Sequence, residues 1–260
     1  MSIEKFVVGH CTVEIDYEPD APNPFKDYDC NGNIWSLSRR HNNHKTPTEI
    51  AAIMKGNPYC VPLSYYEHGQ CLWDVQSGAR IAVCPDKQWD QVEFAGIWEP
   101  DKDCLENIEV MASAILLPGV KVAYKSKPNP DGTIEAKNLN IITYTLPDLK
   151  EKGGYKTFLG AYRAAARVLG VVFDAAAYEK AKQQAARDMA KSICELYTDY
   201  CNGNCYCYAV SDTETEEVLD SCGGIYGFEY CKTEATETAQ HHSEKIEALN
   251  KETALAATMP

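Results

Sequence analysis

The sequence predicts an α+β protein, and three observations carry that prediction. An alternating, β-branched stretch opens the chain, an Ala-, Lys-, Gln- and Arg-rich segment with helical spacing occupies 153–200, and a second alternating stretch at 204–231 follows it. With 260 residues, 45% of them apolar, the chain can bury a core without disulfide staples. One compact unit over 1–260 is expected: β-rich to about 150, helical pair plus hairpin to 250, and a frayed tail over 251–260.

FVVGHCTVEID, ending at Asp16, alternates and reads as a strand. EPDAPNPFKDYDCNGN, with three prolines, reads as loop. Thr46 or Thr48 can cap a short helix ending at Gly56, with Ile50, Ile53 and Met54 on one face. YCVPLSYY at 59–66 and ARIAVC at 79–84 are strand candidates around EHGQCLWDVQSG, whereas QWDQVEFAGIWEP mixes aromatics and acids without a firm period. Residues 104–117 form an amphipathic helix that stops at Pro118-Gly119, and Asn-Pro-Asp-Gly centres a hairpin before 146. Gly170 and Asp174 divide two helices, the second with an apolar face of Tyr178, Ala181, Ala185, Met189, Ile193 and Leu196. CYCYAVSD, the acidic TETEE turn and EVLDSCGGIYGFEYC then make a hairpin, and a C-terminal helix follows it.

The net charge of −13 is unevenly distributed. Residues 195–237 carry ten acids against Lys232, residues 86–109 eight acids against two lysines, and residues 119–191 thirteen Lys or Arg against seven acids. Such acidity disfavours direct nucleic-acid binding, because phosphate contacts need cations. Spaced carboxylates on a rigid hairpin can instead imitate nucleic acid and compete for a basic groove. Asp212, Glu214, Glu216, Glu217 and Asp220 are the candidate contacts, with Tyr206, Tyr208 and Tyr226 as aromatic anchors.

The seven residues CNGNCYC at 201–207 hold three of the twelve cysteines. Cys201, Cys205, Cys207 and Cys222 could supply a structural zinc site, although Cys205 and Cys207 suit packing equally well, and no cofactor is the primary expectation. No basic start precedes a sustained apolar run, and about 18 consecutive apolar residues occur nowhere. A cytoplasmic protein with reduced thiols and no membrane association is expected. His41 and His44, with Asp29, form the alternative catalytic set of a metal-dependent hydrolase or nuclease; a solvated basic loop explains the same residues.

Tyr206-x-Tyr208-x-Val210-x-Asp212, followed by acids and Asp220-Ser221-Cys222-x-Gly224-x-Tyr226-Gly227, resembles a stretch in a family of acidic accessory proteins encoded by bacteriophages and related mobile elements. The loop leading to NIWSLSRRHN, and VPLSYYEHG, are similar as well, in the same order and over about a third of the chain. The cysteine-rich 201–207 stretch departs from that pattern. No activity comes with the family. By analogy, phage accessory proteins that act against host defence systems make the expected function non-enzymatic: binding and inhibiting a host nucleic-acid-handling protein, in defence or transcription, in the host cytoplasm. A metal-dependent hydrolase and a zinc-stabilised structural protein are the alternatives, and homo-oligomerisation is left open.

Overall fold

A computed structural model describes residues 2–28, 32–76, 91–118, 121–125, 141–145, 152–155 and 157–258. The protein is α+β. In chain order the elements are β1 (Glu4–Val8), β2 (Cys11–Tyr17), β3 (Asn33–Ser36), α1 (Pro47–Gly56), β4 (Val61–His68), β5 (Gln70–Val75), β6 (Gln91–Glu99) and α2 (Lys102–Leu116). There follow β7 (Lys121–Lys125), β8 (Ile141–Thr145), β9 (Lys152–Tyr155), α3 (Phe158–Val168), α4 (Ala175–Asn202), β10 (Cys205–Asp212), β11 (Val218–Tyr226) and α5 (Phe228–Thr258). Among the described residues these form three sheets, ordered β1-β2-β10-β11, β3-β6-β4-β5 and β7-β8-β9.

The chain divides into two compact units. The first comprises Met1–Tyr28, Tyr66–Trp73 and Cys194–Pro260; the second comprises Asp29–Tyr65 and Asp74–Ile193. Unit 1 is built on the β1-β2-β10-β11 sheet. Alternation along β2 places Cys11, Val13 and Ile15 on one face, and β10 sets Tyr206, Tyr208 and Val210 beside them, all covered by Cys231, Ala235 and Ala239 of α5. The small α5 residues let the helix approach closely. The opening strand of the sequence reading is in fact two strands, because Gly9 adopts a left-handed φ of 57° and reverses the chain. A side chain there would meet the Ser243 hydroxyl, which accepts a hydrogen bond from the His10 amide at 2.9 Å.

Unit 2 places Ile97 and Trp98 of β6, with Ile34 and Leu63 from neighbouring strands, fully in its interior. The aperiodic QVEFAGIWE is therefore a strand, and β6 lies between β3 and β4 in its sheet. Thr46 caps α1 in a reciprocal capping box with Glu49, ahead of Pro47. Asp101 caps α2, and Asp174 accepts from the amides of Ala176 and Ala177 at the start of α4. A second core joins Ala112 and Leu117 to Phe158, Ala161, Tyr162, Ala165, Tyr178 and Ala181. The strand candidate at 79–84 and the tip of the hairpin between β7 and β8 lie outside the described residues. The tail, expected to fray from 251, continues α5 to Thr258.

Candidate interaction surface

The two units differ sharply in charge. Unit 1 contains 20 Asp and Glu against five Lys and Arg, a net −15, and unit 2 contains 18 against 20, a net +2. The chain's whole negative excess thus belongs to unit 1.

Within it, the face of the sheet turned away from α5 carries a row of acids. Glu14 and Asp16 occupy outward positions of β2 and Glu18 follows at the same two-residue step, so the carboxylates repeat at about 6.8 Å along the chain. They line a concavity of about 640 Å³ together with Ser2, Cys207 and Ser221. Glu14 is ion-paired with Lys5 across β1. Glu18 Oε2 accepts a hydrogen bond from the Gly224 amide at 3.3 Å, and a side chain at Gly223 would fall 2.2 Å from that same oxygen. Gly223 therefore makes room for the carboxylate that the Gly224 amide holds. The loop behind it is fastened by Tyr28, whose hydroxyl donates to Gly224 O at 2.9 Å, and by Tyr226, whose hydroxyl donates to Pro22 O.

The hairpin acids have separate roles. Asp212 is a turn residue: its carboxylate accepts from the amides of Thr215 and Glu214 at 2.9 and 2.8 Å, and those bonds hold its pKa below the usual carboxylate range. Asp220 Oδ2 lies 3.4 Å from His242 Nε2 on α5. Glu214, Glu216 and Glu217 are exposed at the tip, Glu216 with a left-handed φ of 59°. Thr213 N donates to His10 O at 2.9 Å, fixing the tip against the turn between β1 and β2. The structure therefore gathers Glu14, Asp16 and Glu18 on one face, a set the charge count missed.

The tyrosines correct the sequence reading. Tyr206 and Tyr208 are each only 7% exposed. Tyr206 stacks on Tyr17 with ring centroids 5.3 Å apart, and Tyr208 shares a hydrogen bond of 3.0 Å with Thr238 Oγ1. Neither can reach a partner while the sheet is folded. Alternation decided this: the β10 residues that carry the anchor pattern are the inward ones.

The candidate zinc cysteines do not form a ligand set. Cys201 sits in the last turn of α4 beside Cys71, and Cys205 is buried beside Tyr226. Cys207 Sγ lies 3.8 Å from the carbonyl oxygens of Asp16 and Tyr17, and Cys222 is exposed on β11 opposite Tyr208. Among the described residues, no group of three or more His, Cys, Asp and Glu is placed to hold a metal ion. His41 shares a hydrogen bond of 2.8 Å with Ser36 Oγ and packs edge-on against Tyr65, while His44 bridges to Ser36. Both histidines serve the loop before α1. Asp29, their proposed companion, lies outside the described residues.

Among the described residues, no helix is long and apolar enough to cross a membrane. Comparison of the chain with protein-family models, curated proteins and solved structures gives no match.

Proposed function

We propose that this chain is a non-enzymatic phage accessory protein whose acidic unit occupies the basic groove of a host nucleic-acid-handling protein and so inhibits it. The segregation of charge carries the reading: −15 on unit 1 against +2 on unit 2. Uniform acidity serves solubility, whereas acids concentrated on one unit and repeated along one strand of its sheet offer a spaced array to cations. The Glu14, Asp16 and Glu18 row, held on a hydrogen-bonded strand, loses little freedom on binding, which favours affinity. The phage source rests on the resemblance of the hairpin and the two upstream fragments.

The test is competitive. Proteins retained from a nucleic-acid-free bacterial lysate at low salt are eluted and mixed with labelled duplex DNA, and the chain is titrated in. The reading expects displacement of duplex, weakening steeply with salt. Glu14→Gln, Asp16→Asn and Glu18→Gln, combined with Glu214→Gln and Glu217→Gln, should weaken displacement by roughly tenfold or more. Equal displacement by this variant would refute the proposal.

A further inference from the structure

Cys71 and Cys201 lie 130 positions apart in sequence yet are adjacent in unit 1. The contact follows from how the last turn of α4 docks along β5. Thr198, Cys201 and Asn202 share one helix face at spacings of three and four, and the β5 backbone supplies their partners. Asn202 acts as a two-sided clamp: its Oδ1 accepts from the Cys71 amide at 2.9 Å and its Nδ2 donates to the Cys71 carbonyl at 2.9 Å. One turn earlier, Thr198 Oγ1 accepts from the Trp73 amide at 2.9 Å. Between these two clamps Cys201, next to Asn202 on the helix end, lies beside Cys71 and Tyr197, whose side chains act on its thiol. As residues, Cys201 is exposed and Cys71 half-buried.

We propose that Cys201 is a site of oxidation by hydroperoxides, with Cys71 as the resolving thiol that closes the product to a Cys71–Cys201 disulfide. In the first step the Cys201 thiolate, its proton released to water, attacks the distal peroxide oxygen. An S–O bond forms, the O–O bond breaks, and the departing alkoxide or hydroxide takes up a proton, leaving Cys201 as the sulfenic acid. In the second step Cys71 sulfur attacks Cys201 sulfur; the S–S bond forms, the S–O bond breaks, and hydroxide leaves with the Cys71 proton as water. Two thiols lose one electron each and the peroxide gains both.

Electrostatics supports this division of roles. Hydrogen bonds from Cys71 and from Tyr197 hold the Cys201 thiol below its ordinary pKa, against the effect of burial. Its hydrogen bond with Cys201, then burial, holds Cys71 well above. Burial likewise raises Cys11, Cys205 and Cys207, and pushes Cys60 to about 12 and Cys231 to about 11.

The experiment exposes the reduced full-length chain to stoichiometric hydrogen peroxide with and without dimedone, and maps the products by non-reducing proteolysis and mass spectrometry. The expected result is one dominant linked peptide pair, joining Cys71 to Cys201. Cys71→Ser should convert that product into a dimedone adduct on Cys201, and Cys201→Ser should abolish both. Tyr197→Phe, which keeps both thiols, should slow the reaction several-fold and so tests the site without removing a cysteine. Oxidation that spreads over Cys201, Cys207 and Cys222, or a dimedone adduct on Cys201 that is as abundant in the unmutated chain as in Cys71→Ser, would overturn the proposal.

Discussion

Truncating Tyr208 separates a core role from a surface role. The residue is 7% exposed, lies between Ile15 and the α5 alanines, and reaches Thr238 with its hydroxyl. A buried tyrosine removes about 150 Å² from water, which at roughly 25 cal/mol per Å² amounts to about 4 kcal/mol. Tyr208→Phe loses only the hydroxyl bond, about 1 kcal/mol, because Thr238 is half-buried and can turn to water. Every 1.4 kcal/mol is a factor of ten in an opening equilibrium. Hydrogen exchange of the β10 and β2 amides should therefore speed up several hundredfold or more in Tyr208→Ala and at most about tenfold in Tyr208→Phe, while α3 in unit 2 is unaffected. A cycle with Thr238→Val should recover a coupling of roughly 0.5–1 kcal/mol. If Tyr208→Ala left β10 exchange within threefold of the parent, the assignment of this face to the core would be wrong.

Other consequences concern pH, backbone packing and ion pairing. Tyr206, Tyr208 and Tyr226 are all held above the ordinary tyrosine value, chiefly by burial, so the native state keeps protons that the unfolded chain releases. Their contribution is complete below pH about 10 and is lost as pH rises past it; a thermal midpoint that stays constant from pH about 8 to about 11 would contradict this. Gly96→Ala places a methyl carbon 1.9 Å from the Trp35 carbonyl oxygen across the β3–β6 ladder, so a loss of about 3 kcal/mol or more is expected in thermal unfolding. Lys182 bonds Glu179 at 2.9 Å and Glu109 at 3.6 Å and lies over the Tyr59 ring. Lys182→Met should cost about 1–2 kcal/mol by denaturant titration, a figure reduced by the partial exposure of both carboxylates, and adding Glu109→Gln should recover part of it.

Signals that depend on local chemistry were legible in the sequence. A threonine cap at Thr46 or Thr48, Asp174 before an alanine run, and alternation through 205–226 each name their element, because caps and periods act within one turn or one strand; the reciprocal bond with Glu49 selects Thr46. Gly9-His10 is not a strong turn pair, so the first hairpin read as one strand. β6 lacks a period because residues on both of its faces are buried, Ala95 and Trp98 among them. The acids of Val13-Glu14-Ile15-Asp16-Tyr17-Glu18 are visible as alternation, but the negative excess over 195–237 is larger and points to the hairpin. Cys71 and Cys201 could not be paired from the sequence at all, since only the docking of a helix end on a strand brings them together.

The pairing of β2 with β10 also sets a timetable for biosynthesis. Asp16 and Cys207 are strand neighbours separated by 191 positions, and Met1–Tyr28 has no sheet to join until the far hairpin exists. At about 5–20 residues per second, the first two strands wait on the order of ten seconds or longer on the ribosome, and during that interval Val13 and Ile15 remain open to chaperones. Most of unit 2 has been synthesised by then and can fold first. The acidic surface therefore appears only once residues 205–212 have been made, and a ribosome-bound fragment ending before residue 205 would lack it.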